Sequence, residues 1–340
     1  MSELGKPFAS LPDEQQRRLS QASMPEWIPP MLATLTDKTF DDPNWIYERK
    51  LDGERVVAYK QGAAVRLLSR NKKTLNNTYP EIADTFCEQP PAQLIVDGEV
   101  VAFSGRVTSF ERLQERMQVK DRDEARSSRV AVYYYAFDLL YLDGWDVTEL
   151  PLLYRKRLLR SALERQDPVR YTAYRREDGT QYHHEACRKG WEGVIAKDGM
   201  APYVRSRSTK WLKFKCVNRQ EFVIAGFTEP QGERIGFGAI LIGYYEDGDL
   251  HYAGKVGTGF DDDTLQRMRH QFDELEIGNC PFVEKDEAEG KGVHWMEPKL
   301  VGEVGFTEWT ADGMLRHPRF LGLRDDKAPR DVHRERPGGR

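Results

Sequence analysis

The sequence predicts an α+β protein with mainly antiparallel sheets, followed by a smaller barrel of short strands. Three observations carry this. Strand-like runs rich in Val, Ile, Tyr and Phe recur at 45–50, 55–60, 64–69, 93–103, 130–138, 193–198 and 210–216, with helical periodicity at 80–88, 109–118, 151–165 and 181–189. The two types interleave irregularly, which argues against a doubly wound parallel sheet. The texture then changes near Asn218, and a chain of 340 residues exceeds what one hydrophobic core usually serves.

Taken in order, residues 1–25 form a polar, partly helical lead-in, with Pro12 and Asp13 opening a weak helix. Met24-Pro25-Glu26-Trp27-Ile28-Pro29-Pro30 is extended by its prolines. Residues 26–218 hold the strands and helices of the main domain. Residues 219–327 carry short strands at 221–228, 239–245 and 250–257, a helix at 262–275 and strands near 299–310. Glu246-Asp247-Gly248-Asp249 reads as a hairpin turn between two of them. Several short strands around one helix fit a Greek-key barrel such as the OB-fold. Residues 328–340, rich in Pro, Gly and Arg, read as a loosely ordered basic tail.

Composition narrows the class. Hydrophobic residues at 39% and charged residues at 31% describe an ordinary globular protein, and no apolar run is long enough to span a bilayer. The N-terminus lacks the apolar stretch of a signal peptide. Cys87, Cys187, Cys216 and Cys280 show no Cys-x-x-Cys pair, which argues against a zinc ribbon or a disulfide framework and suits a reducing cytoplasm. The net charge of −4 speaks against a uniformly basic nucleic-acid binder. Two local tracts stand out, however. Residues 203–219 hold six basic and no acidic residues, and 316–340 hold eight basic against four acidic. Either tract suits a phosphate-contacting surface or a solvated charge run.

The most informative motif is Lys50-Leu51-Asp52-Gly53-Glu54-Arg55, a Lys-x-Asp-Gly-x-Arg hexapeptide at a strand end. Gly53 would let the backbone reverse and approach a ligand closely. Arg55 and neighbouring cations would lower the Lys50 pKa and expose a free amine as a nucleophile. Asp97-Gly98-Glu99 throws a carboxylate off an apolar strand, as a metal or ribose ligand requires. The aromatic strand at 130–138 ends at Phe137, where an exposed ring could stack a nucleobase. Glu192 and Lys197 lie five apart, on opposite faces of an ideal strand, so a bend must bring both to one site. Lys210-Trp211-Leu212-Lys213-Phe214-Lys215 alternates with period two, placing Lys213 and Lys215 together on one face. Two adjacent ammonium groups call for a bridging anion. His183-His184-Glu185 has a metal-like composition, but adjacent helical histidines face different ways, so it reads as a surface pair.

In this order, with Ser69-Arg70-Asn71, Phe137-Asp138 and 315–327 ending in Arg324-Asp325-Asp326-Lys327, the motifs resemble the covalent nucleotidyltransferase superfamily. The series is most similar to ATP-dependent DNA ligases, and to the ligase module of bacterial non-homologous end-joining ligases. The resemblance runs from Trp27 to Lys327. It implies an adenylation domain followed by an OB-fold, and an end-joining ligase module standing without polymerase or phosphoesterase domains. It further implies that Lys50 becomes lysyl-AMP, that Glu48 reads the adenine amino group, and that Arg55 and Arg70 hold ribose and phosphate. Phe137 would stack on adenine, and Glu99 and Glu192 would serve as ribose or Mg2+ ligands, with Mn2+ as a substitute. Lys197, Lys213 and Lys215 would contact the α-phosphate, while Arg324 and Lys327 would orient pyrophosphate. The implied substrates are ATP and nicked or broken duplex DNA, and the implied setting is a monomer at the bacterial nucleoid with a Ku-like end-binding partner and no membrane. An RNA ligase or a capping guanylyltransferase is the neighbouring alternative. An NAD+-dependent ligase is disfavoured by the missing zinc cysteines, and a P-loop enzyme by the missing Gly-x-x-x-x-Gly-Lys-Ser/Thr.

Overall fold

In the computed structural model, residues 7–36, 38–164, 166–216, 218–310 and 312–335 are described. The chain divides into two compact units, one running through Cys216 and the other starting at Val217.

The first unit holds two sheets. The larger runs in the order Ser20–Gln21, Trp145–Asp146, Val132–Leu142, Gln93–Ser104, Glu54–Gln61, Ala64–Ser69. The second runs Tyr174–Arg176, Trp45–Lys50, Gly193–Asp198, Arg207–Lys215, Leu32–Leu35. Pairing is antiparallel except for Leu32–Leu35 on Arg207–Lys215 and Val169–Tyr171 on Val132–Leu142.

Strand alternation decides what each face carries. In the second sheet Tyr47, Val194, Ala196, Leu212 and Phe214 turn to one side and form a core with Tyr182 and Ala186 of the Gly179–Arg188 helix. Burying each of these larger apolar side chains stabilises the unit by about 1.5–3 kcal/mol. That leaves Glu48, Lys50, Lys197, Trp211, Lys213 and Lys215 on the opposite face. The larger sheet answers with Val57, Tyr59, Ile95 and Phe137, which share a core with Trp211 and Tyr203. The space between the sheets therefore receives polar positions from both.

The second unit is an antiparallel sheet ordered Asp249–Val256, Ile240–Glu246, Asn218–Thr228, Val293–Phe306, Glu276–Ile277, with Arg319–Leu323 also paired to Val293–Phe306. Bulges at Ile224/Gly226, Ile242/Gly243 and Glu303/Val304 curl it into an OB-fold. The expected hairpin turn is present, with Asp247 at φ 51° and Gly248 at φ 93°, the positive pair a tight turn needs. Asp261 caps the Asp262–Asp273 helix by accepting from the Thr264 amide at 2.8 Å.

Three expectations need correction here. The tail does not hang loose as far as Glu335: Val332 is buried, its carbonyl accepts from the Tyr245 amide at 2.7 Å, and the Glu335 amide donates to Gln220 at 3.0 Å. An apolar side chain at 332 decides this against the surrounding Pro and Arg, and 336–340 lie outside the described residues. Cys187 and Cys216 form a disulfide, because the Gly179–Arg188 helix crosses the end of the Arg207–Lys215 strand and brings their Cα atoms to 5.2 Å. Gly53 has no positive φ. It is needed because a Cβ there would lie 2.2 Å from the Val100 carbonyl oxygen of the neighbouring strand, so the constraint is strand packing rather than a turn.

Candidate active site

Register builds the site. Gly193 faces Lys50 on one side and Lys215 on the other, while Ile195 faces Glu48 and Lys213. Lys197 faces Ile46 and Trp211 in the same way. The bend required between Glu192 and Lys197 occurs at Gly193, whose φ of 150° excludes ordinary side chains and whose Cβ would strike the Phe214 carbonyl at 2.0 Å. Glu192 lies just outside the strand and turns its carboxylate back onto the Lys50 amine.

Lys50 is 19% exposed at the side chain and Glu192 only 6%. Burial alone would push the Lys50 amine down, but Glu192, then Asp52 and Glu99, outweigh it and raise the pKa to about 12. The expected lowering by neighbouring cations is therefore overturned. The carboxylates win because Glu192 lies against the amine and hydrogen-bonds it, with the Asp52 and Glu99 charges adding in the same direction. Lys197 behaves in the opposite way. Its burial, with Lys156 adding repulsion, outweighs Glu48 and lowers its pKa to about 8.

Both oxygens of Glu48 are occupied, one by Lys156 and the other by Lys197 at 2.6 Å. Lys156 also donates to the carbonyls of Phe137 at 3.3 Å and Thr172 at 3.1 Å. Arg55 is clamped by Asp97 through two bonds of 2.5 and 2.6 Å and reaches the Met31 carbonyl at 3.2 Å. Tyr203 donates to the same carboxylate at 2.6 Å. Phe137 corrects the expectation of an exposed ring at a strand end. Its strand continues to Leu142, and the ring is buried within 4.5 Å of the Arg55 guanidinium and 4.2 Å of the Lys197 amine. The run of apolar residues after Asp138 extends the strand into the core, which carries the ring inward.

Glu99 lies opposite Arg55 in the larger sheet, half-buried, and its charge reaches Lys50. Arg70 sits in the turn after Ala64–Ser69, closed by the Lys72 amide on the Ser69 carbonyl at 2.9 Å. Within the second unit Arg324 is paired to Asp326 at 2.8 Å and flanked by Glu303 at 3.5 Å, and Lys327 lies 3.2 Å from Glu221. The first unit thus brings the Lys50 amine together with Glu192 and Glu99, and places Lys197, Lys213 and Lys215 on the same sheet face.

Residues 30–215 match the ATP dependent DNA ligase domain, and 233–327 match the ATP dependent DNA ligase C terminal region. The chain belongs to the ATP-dependent DNA ligase family. It is 36% identical over 97% of its length to the multifunctional non-homologous end joining protein LigD of Pseudomonas aeruginosa, and 35% identical over 91% to the LigD of Mycobacterium tuberculosis. It covers 39% and 40% of those proteins, so it spans about two fifths of the curated LigD relatives it matches. Among solved structures, mycobacterial DNA ligase D complexed with ATP and MES is 32% identical, with a TM-score of 0.63 over 91% of this chain and 98% of that one.

Four residues that the fold brings to this candidate site escaped the sequence reading. Asp97 stood in a quoted motif but was passed over for Glu99. Trp211 shares the period-two face of Lys213 and Lys215, and alternation alone could have found it; the Lys197 amine lies 4.0 Å from its ring. Lys156 and Tyr203 carried no local signal. Lys156 lies on an amphipathic helix where a lysine normally points to water, and only the buried Glu48 makes it a site residue.

Proposed function

We propose that this chain seals nicks or breaks in duplex DNA with ATP, through AMP carried on Lys50. The observation that supports it best is the single sheet face holding Lys50, Lys213 and Lys215 in register, with Glu192 on the amine. In the first step the Lys50 nitrogen attacks the α-phosphorus. A P–N bond forms, the P–O bond to pyrophosphate breaks, and the ammonium gives up two of its three protons to solvent, keeping one N–H in the phosphoramidate. The DNA 5′-phosphate then displaces the lysine, and the 3′-hydroxyl displaces AMP.

Lys213, Lys215 and Lys197 supply positive charge for the equatorial phosphate oxygens, where phosphoryl transfer builds negative charge. Arg55 and Arg70 hold ribose and phosphate, with Arg55 held in one orientation by Asp97. Glu48 and Phe137 receive adenine once the Lys197 contacts on both, and the Arg55 contact on the ring, give way to the base. Glu99 and Glu192 are hard oxygen donors beside the amine, a set that fits Mg2+ or Mn2+ rather than a soft metal. Such an ion, when bound, neutralises phosphate charge. Arg324 and Lys327 serve the leaving pyrophosphate. No helix among the described residues is long and apolar enough to cross a membrane. We place the protein in the cytoplasm at the nucleoid, as a monomer recruited by a Ku-like partner to DNA ends.

The test is incubation with labelled ATP or GTP, followed by intact mass and by a nicked duplex. One AMP added to one lysine, and a sealed nick, support the reading. Transfer of GMP would favour a capping enzyme, and sealing of RNA alone an RNA ligase.

A further inference from the structure

His183, dismissed from the sequence as half of a surface pair, has found company. It lies one helical turn before Cys187 on the Gly179–Arg188 helix, and so on the same helix face. Cys216 follows the end of the Arg207–Lys215 strand. The His183 Nε2 atom lies 3.5 Å from the Cys187 sulfur and 3.9 Å from the Cys216 sulfur, and the three donor atoms fall within 4.8 Å of one another. The His183 ring is fixed edge-on to Phe214; its Nε2 donates to the Lys215 carbonyl at 3.3 Å, and the tautomer with the hydrogen on Nδ1 turns the Nε2 lone pair to the two sulfurs instead. A disulfide has no need of an imidazole at both its sulfurs. Two sulfurs and one imidazole nitrogen form instead the donor set of a soft divalent metal, with a fourth position open to water.

We propose that His183, Cys187 and Cys216 are a zinc site that opens when the Cys187–Cys216 disulfide is reduced. A dithiol reductant supplies two electrons and two protons: the protein S–S bond breaks, two protein thiols form, and the reductant closes its own disulfide. Both protein sulfurs then bind Zn2+ as thiolates with the neutral imidazole, and two protons leave to solvent. Cys187 is half-buried rather than enclosed, so reductant and metal can reach its sulfur. Either link ties the helix to the edge of the ligase site, because the Cys216 amide donates to the Glu192 carbonyl at 3.0 Å and Glu192 holds Lys50. The carboxylates Glu99 and Glu192 do not compete for the same ion, being hard donors suited to Mg2+. The inference stands on these three residues and is independent of the DNA-sealing reading.

Cobalt(II) is the optical probe, added to the full chain under anaerobic conditions. Reduced protein should bind about one equivalent, with thiolate-to-metal charge-transfer absorption and the visible bands of a four-coordinate site, and Zn2+ should bleach both. The oxidised protein should show neither. Cys187→Ser and Cys216→Ser should each lose most of the charge-transfer intensity, and His183→Ala should weaken binding at least about tenfold, while His184→Ala binds as the native chain does. If Cys216→Ser fails to fold, Cys187→Ser, on the helix rather than at the sheet edge, carries the test. Absence of charge transfer in the reduced native chain, its persistence in Cys187→Ser, or an equal signal with the disulfide intact would each overturn the proposal.

Discussion

In the proposed mechanism Lys50 has to lose a proton before it can attack, yet Glu192 raises its pKa to about 12. Glu192 thus holds the amine in its charged form. Glu192→Gln should bring the Lys50 pKa down from 12 toward or below 10.5, since burial is then opposed only by Asp52 and Glu99. An NMR titration of the lysine side chain reads this directly, and an unmoved value would show that Glu192 does not hold the amine in solution. Lys50→Ala should abolish self-adenylation. Lys50→Arg should fail equally, because a guanidinium stays protonated. Retained sealing from ATP by either variant would remove Lys50 from the mechanism. Lys197 gives a pH signature of the opposite sign. Its folded pKa of about 8 lies below the ordinary 10.5, so the unfolded chain holds more protons between these values and stability rises over that window. Lys50, with its raised pKa, contributes fully below 10.5 and loses that contribution as pH climbs through about 12. If Lys197 serves as a cation toward phosphate, the KM for ATP in self-adenylation should climb above pH 8 by up to about tenfold per unit. Lys197→Arg should flatten that rise.

At the scale of elements, two buried contacts hold the sheets around the site. Gly98 packs under the Tyr134 ring so closely that a Cβ would lie 2.3 Å from it. Gly98→Ala should cost about 1–3 kcal/mol by overpacking, read as a lower denaturation midpoint. A native midpoint would mean that the strand shifts to make room at no cost. Asp138, fully buried, binds Arg155 of the Leu152–Ala162 helix through two bonds of 2.8 Å. Asp138→Ala strands that guanidinium in the core and should cost about 3–5 kcal/mol, with the first unit melting early. Neither residue is itself a proposed nucleotide contact, although the Asp138 charge bears on Lys197. Surviving protein should therefore still be labelled by ATP, which separates loss of fold from loss of chemistry.

For the molecule as a whole, the tension lies between a net charge of −4 and the polyanionic substrate we propose. The basic run at 203–219 and the lysines between the sheets confine positive charge to part of the first unit. The second basic tract is less available than its composition suggests, because Arg324 and Lys327 are met by Asp326, Glu303 and Glu221. Arg324→Ala would leave those carboxylates without their cation, so Lys327→Ala is the cleaner probe of the proposed pyrophosphate role. It should slow formation of lysyl-AMP from ATP while leaving intact the joining of a nick that already carries a 5′-adenylate. Normal adenylation with sealing that becomes steeply salt-sensitive would instead assign Lys327 to DNA backbone.

The sequence alone determined the run of elements, the alternation that puts Lys213 beside Lys215, and the order of motifs that marked a ligase. All of these are local: period two and period 3.6 follow from backbone geometry, and a motif is read along the chain. Only tertiary structure decided which partners those residues meet. Glu48 takes Lys156 from 108 positions away, Arg55 takes Asp97 from 42, and Cys187 takes Cys216 from 29. The Lys50 pKa followed the same rule. The cations visible in its hexapeptide argued for a lowered value, but Glu192, distant in sequence and hydrogen-bonded in space, set the sign, because Coulomb energy depends on separation in the fold and strengthens where water is excluded.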